Sequence, residues 1–114
     1  MFRVLLVGRD ESLLCTRRLV LSRTGADVLG TKLDEVIATP PMSKIDVLVI
    51  CHTVPQEARQ ALISNFRKLW PALRVVQILK SEYEVISTEI DANFVAIGTN
   101  PGQLVSRTAA LFLD

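Results

Sequence analysis

The stretch from Ile45 to Pro55 constrains this chain more than any other. It runs from an apolar residue and an acid through the unbroken apolar series Val47, Leu48, Val49 and Ile50, then to Cys51, His52 and, three residues on, a proline. A strand with one face in water alternates apolar and polar residues, whereas a strand covered on both faces does not need to. The series therefore reads as a central strand of a sheet with helices on either side. Cys51 and His52 fall at its carboxyl end, where open parallel sheets hold ligands and chemistry.

At 114 residues the chain suits one domain, taken here as a stand-alone unit over 1–114, that can bury roughly two thirds of its unfolded surface. Cys15 and Cys51 are far apart and form no Cys-x-x-Cys pair, so neither a disulfide framework nor a zinc site is indicated, and a reducing cytoplasm fits. The four apolar residues Val4 to Val7 are too few for a signal-peptide core, and no run approaches a membrane span. Thirteen basic against twelve acidic residues leave a net charge of +1, too balanced for a chain whose main partner is a phosphate backbone. No nucleic-acid and no membrane partner is expected.

In chain order, Phe2 to Val7 reads as a first strand. Gly8-Arg9-Asp10 follows it, with Asp10 or Ser12 placed to cap a helix from Glu11 to Thr24 that Gly25 stops. The stripe of this helix is imperfect: Leu13, Val20 and Thr24 share a face with Thr16 and Arg17, with Leu14 and Leu21 to one side, so one arginine is aimed unusually. Ala26 to Thr31 has the partly polar make-up of an edge strand, and Leu33 to Ala38 offers barely two helical turns before the Pro40-Pro41 break. After the central strand, Pro55 opens a helix over Gln56 to Leu69. Ala58, Ala61, Leu62, Asn65, Phe66 and Leu69 form its inner face, with Glu57, Arg59, Arg67 and Lys68 turned away.

Arg74 to Leu79 gives a fourth strand. Ser81 to Glu84 has capping-box spacing ahead of a short or irregular helix, Phe94 to Ile97 gives a fifth strand, and Asn100-Pro101 opens a last helix from about Gly102 to Leu113. Strands alternating with helices over short connections imply right-handed crossovers and an α/β three-layer sandwich, a five-stranded parallel sheet in the order 2-1-3-4-5. The switch point then lies between strands one and three, and Gly8, Arg9, Asp10, Cys51 and His52 surround one crevice.

Four features together resemble the receiver domain of bacterial two-component response regulators, the CheY-like fold, over nearly the whole chain. Val4 to Val7 runs into a polar triplet and reaches Gly25 at the receiver spacing. Asp46 to Pro55 is similar to the family's Asp-apolar-Asp strand with proline four residues later. Strand four ends at Leu79-Lys80-Ser81, and Thr99-Asn100-Pro101 looks like the Thr-Lys-Pro after strand five. In that family paired acids and an acceptor aspartate hold magnesium, a hard cation that wants carboxylate oxygens. The resemblance sets Gly8 and Arg9 at the paired acids, Cys51 at the acceptor, Leu79 or Lys80 at the hydroxyl (Ser81 with a small shift), Asn100 at the lysine and Ile97 near the aromatic. Only Asp10 remains acidic. The resemblance thus implies a degenerate receiver, not an enzyme, with no cofactor and no magnesium expected.

The expectation for function is a phosphorylation-independent module of signal transduction that works by contact, since a chain of this length leaves no room for an output domain. Its partner would be another signalling protein or a second copy, through a face drawing on Tyr83, Glu84 and Arg107, as the resemblance suggests. Arg9 and Arg17 have two readings: surface pairing with Asp10 or Glu11, or a fixed cation in the emptied pocket. Cys51 likewise is either a packed small hydrophobe or a redox-sensing thiol favoured by Arg9, His52 or Lys80. A Cys51–His52 dyad is disfavoured because neighbouring strand residues face opposite ways. Asn100 and Gln103 are read as a helix cap. A small nucleotide-binding α/β protein is the remaining alternative, though neither a dinucleotide fingerprint nor a P-loop is present.

Overall fold

The computed structural model describes residues 2–38 and 44–78, and the backbone of residues 94–97. The elements are β1 (Arg3–Gly8), α1 (Glu11–Ser22), β2 (Asp27–Lys32), α2 (Leu33–Ala38), β3 (Val47–Ile50), α3 (Gln56–Leu69), β4 (Arg74–Ile78) and β5 (Phe94–Ile97). Strands β2, β1, β3 and β4 lie side by side in that order, all parallel, as the alternating sequence pattern implies. The backbone of β5 runs parallel beside β4, with Val75 opposite Phe94. The helices expected after β4 and β5 fall outside the described residues.

Alternation along the strands divides the core in two. Leu5, Val7, Leu48, Ile50 and Val75 face one side, where Val36 of α2 and Leu62, Ile63 and Phe66 of α3 cover them. Val4, Leu6, Val47, Val49, Val76 and Ile78 face the other, under Leu14 and Leu21 of α1. Helices therefore cover both faces of the described sheet, which is why β1 and β3 can be apolar at every position after Arg3. Asp46, the acid ahead of the central run, fixes where that run begins. Its carboxylate accepts from the Arg3 amide at 2.8 Å, its own amide donates to Arg3 O at 2.9 Å, and its carbonyl accepts from the Arg74 amide at 3.3 Å.

Three expectations need correcting. The inner stripe of α3 is Arg59, Leu62, Ile63 and Phe66, a clean i, i+3, i+4, i+7 series that leaves Ala61, Asn65 and Leu69 exposed and buries the arginine expected outside. In α1 the buried residues are Leu14, Arg17 and Leu21, so the two leucines assigned to one side form the centre of the contact with Arg17 between them. The regular helix also ends at Ser22 rather than Thr24. The amides of Arg23, Thr24 and Gly25 reach back only three residues, at 3.2, 3.0 and 3.1 Å, and Gly25 turns the chain at φ +83. No helix among the described residues is long and apolar enough to cross a membrane.

Candidate functional site

The carboxyl ends of β1 and β3 meet as expected, and the connections that leave them are bonded directly to each other. The Cys51 amide donates to Val7 O at 2.9 Å, continuing the β1–β3 ladder one residue past β3. The Arg9 amide donates to Thr53 Oγ1 at 3.0 Å, and the Val54 amide turns back to Cys51 O at 3.1 Å. Gly8 is what permits the approach. A Cβ there would stand 3.1 Å from Leu14 Cδ2 and 3.2 Å from both Cβ and Sγ of Cys51, closer than side chains normally pack.

Asp10 is the N-cap of α1, its Oδ1 accepting from the Leu13 amide at 3.1 Å, so the acid nearest the crevice spends its charge on the helix terminus. Glu11 pairs with Lys32 on the neighbouring edge strand at 3.5 Å. The surface pairing that would have engaged Arg9 or Arg17 with these acids is therefore not formed. Arg9 is exposed, beside Lys32, Asp34 and Ile37.

Arg17 is inside. It is only 7% exposed, and its Nη2 lies 3.0 Å from His52 Nδ1. A guanidinium has only donors, so Nδ1 must be the acceptor and the neutral ring carries its proton on Nε2. The same guanidinium reaches the Cys51 thiol, while Nη1 is buried without a hydrogen-bond partner. Cys51 and His52 were expected to point apart. Regular strand geometry ends at Ile50, the alternation rule ends with it, and both side chains converge on one cation. Burial, the largest influence, pushes the Cys51 thiol up from its ordinary value, against the smaller downward pull of Arg17. Cys51 is 1% exposed and belongs to the apolar cluster under α1 that also holds Leu14 and Val49.

The structure thus brings together Gly8, Arg9, Asp10, Cys51 and His52, and adds Arg17. Leu79, Lys80, Ser81 and Asn100, together with the contact residues Tyr83, Glu84 and Arg107, lie outside the described residues. Among those described, no group of three His, Cys, Asp or Glu side chains is placed to hold a metal ion. The role of Arg17 had one signal in the sequence, a charge in the middle of the α1 stripe.

No family model and no curated protein matches the chain in sequence. Solved structures do match in shape. A candidate pilus assembly protein, CpaE, from Burkholderia thailandensis E264 superposes with a TM-score of 0.77 at 17% identity, covering 100% of both chains. A CheY-like response regulator receiver domain protein from Methanospirillum hungatei JF-1 gives 0.76 at 18% identity, over 99% of this chain and 95% of that one. The fold is that of a CheY-like receiver domain. A pilus assembly-related protein from Burkholderia pseudomallei K96243 has the same form, with a TM-score of 0.72 at 20% identity over 97% of this chain and 91% of that one. At such identities the likeness is one of fold, and the chemistry of this receiver fold rests on its own residues.

Proposed function

We propose that this chain is a degenerate receiver, a phosphorylation-independent module of signal transduction that acts in the cytoplasm through contacts with another protein or a second copy of itself. In this reading Gly8 and Arg9 stand where receivers carry paired acids and Cys51 stands where they carry the acceptor aspartate. The observation that carries it is the direct closure of the crevice: Gly8 lies against Cys51 Sγ, and the buried guanidinium of Arg17 reaches the same sulfur. Magnesium wants several carboxylate oxygens, and the one acid of the Gly8-Arg9-Asp10 triplet caps a helix. A fixed internal cation takes the place of a transient one. Two of the similar structures carry pilus-assembly names, which supports assembly contact as the kind of output such a module gives.

The redox reading of Cys51 is weakened by its burial, which raises the thiol and hides it from oxidants, despite the guanidinium beside it. The test of the main reading is incubation with acetyl phosphate and magnesium, followed by intact mass and by light scattering with and without the reagent. Unchanged mass and unchanged association support it. A phosphoryl adduct that alters association overturns it.

A further inference from the structure

We propose that Arg17 and His52 form a proton-released latch between α1 and the connection from β3 to α3. Proton uptake by His52 removes the acceptor that holds the buried guanidinium and loosens that connection. The inference rests on local geometry and stands whether or not the module accepts phosphate.

A buried guanidinium is costly unless its donors are met, usually by a carboxylate. Here Arg17 is in neither described ion pair, Nη1 has no hydrogen-bond partner, and the acceptors beside it among the described residues are neutral: His52 Nδ1 at 3.0 Å and the Cys51 thiol. Once protonated, Nδ1 becomes a donor facing a donor, and a second positive charge is held 3.0 Å from the first across a part-buried contact. The bond and the protonated ring exclude each other. Whichever side chain moves, the strain falls on residues 51–54, because Cys51 and His52 are adjacent and the turn back to Cys51 O closes at Val54.

The surrounding described elements also carry charged groups. Asp10 is committed to the Leu13 amide, Arg9 adds positive charge from the β1–α1 connection, and Glu57 in the first turn of α3 is exposed. Histidine is the side chain whose ordinary charge change falls between about pH 5 and pH 8, so the window to search lies there.

His52 is the single histidine of the chain, so ring nitrogen-15 signals from histidine-labelled protein report on it alone. Those spectra and backbone amide exchange are to be followed from about pH 7.5 to about pH 5.5, the imidazole window. At the upper end the ring proton is expected on Nε2. As the ring protonates, the amides of Arg9, Cys51 and Val54 are expected to lose protection by about tenfold, the signature of local opening. His52→Gln keeps an acceptor and loses the titration, so its protection should be flat with pH. Arg17→Met should titrate without altering protection. A ring proton on Nδ1 at neutral pH, unchanged protection in the parent protein, or the same loss in His52→Gln would overturn the latch.

Discussion

The two sides of the sheet meet the same demand, covering apolar strands, with different chemistry. On the α3 side the layer is filled by large apolar groups, with Leu62, Ile63 and Phe66 against Leu48, Ile50 and Val75, and with the Phe66 and Trp70 rings stacked at 6.0 Å. On the α1 side a cation is set between Leu14 and Leu21, and a thiol closes the strand below it. Each side also buries an arginine, Arg59 on α3 and Arg17 on α1; the one on the α1 side stands at the crevice, against His52. The difference locates the constraint beyond stability: it lies at the ends of β1 and β3, under α1.

The largest expected effect tests the α3 side. Phe66→Ala removes a side chain that is 4% exposed and leaves a cavity in the main apolar layer, and should cost about 3–5 kcal/mol in denaturant unfolding. A loss under 1 kcal/mol would show that this layer is not the main apolar contact. Next in size is Gly8→Ala on the crevice side, where the added Cβ crowds Leu14 and Cys51 and should cost about 1–3 kcal/mol. Cys51→Ala in the same chain removes the Sγ contact, so the two changes together should cost less than their sum, by about 0.5 kcal/mol or more. Strict additivity would mean that the two side chains do not press on each other.

The smallest effect sharpens the contrast between the two cysteines. Cys15 is exposed and Cys51 buried, so a thiol reagent should label Cys15 in the folded protein and Cys51 only on unfolding. Since the Cys51 thiol is pushed up by burial, the folded state keeps its proton to higher pH than the unfolded state. The contribution is therefore in place below the unfolded value of about 8.5 and is lost as pH rises from there toward the folded value. Unfolding midpoints from pH 7 to 10 should fall with pH in the parent and fall less in Cys51→Ala. An equal fall in both would assign the alkaline loss to other groups.

The fold was legible because its signals are periodic and redundant. Val4 to Val7 and Val47 to Ile50 could be little but buried strands, Pro55 opened α3, and Gly25 marked the turn after α1. The helix faces were less so. In α3 the charge of Arg59 argues for an outward position, yet a long side chain can be buried when its head group finds a partner, and Arg59 is 4% exposed. The site was half legible. That Gly8 meets Cys51 followed from strand order, but the convergence of Cys51 and His52 on Arg17 depends on where β3 stops, and one residue of strand more or less reverses which way a side chain faces.

The central claim is that the crevice is closed by the protein's own groups and takes neither magnesium nor phosphoryl. The most direct measurement is amide NMR of the chain titrated with magnesium and then with acetyl phosphate, read at Gly8, Arg9, Cys51 and Val54. Unmoved signals at saturating magnesium, and no new set of signals after acetyl phosphate, are the predicted result. A saturable shift at those amides followed by a second, phosphate-dependent set would contradict it.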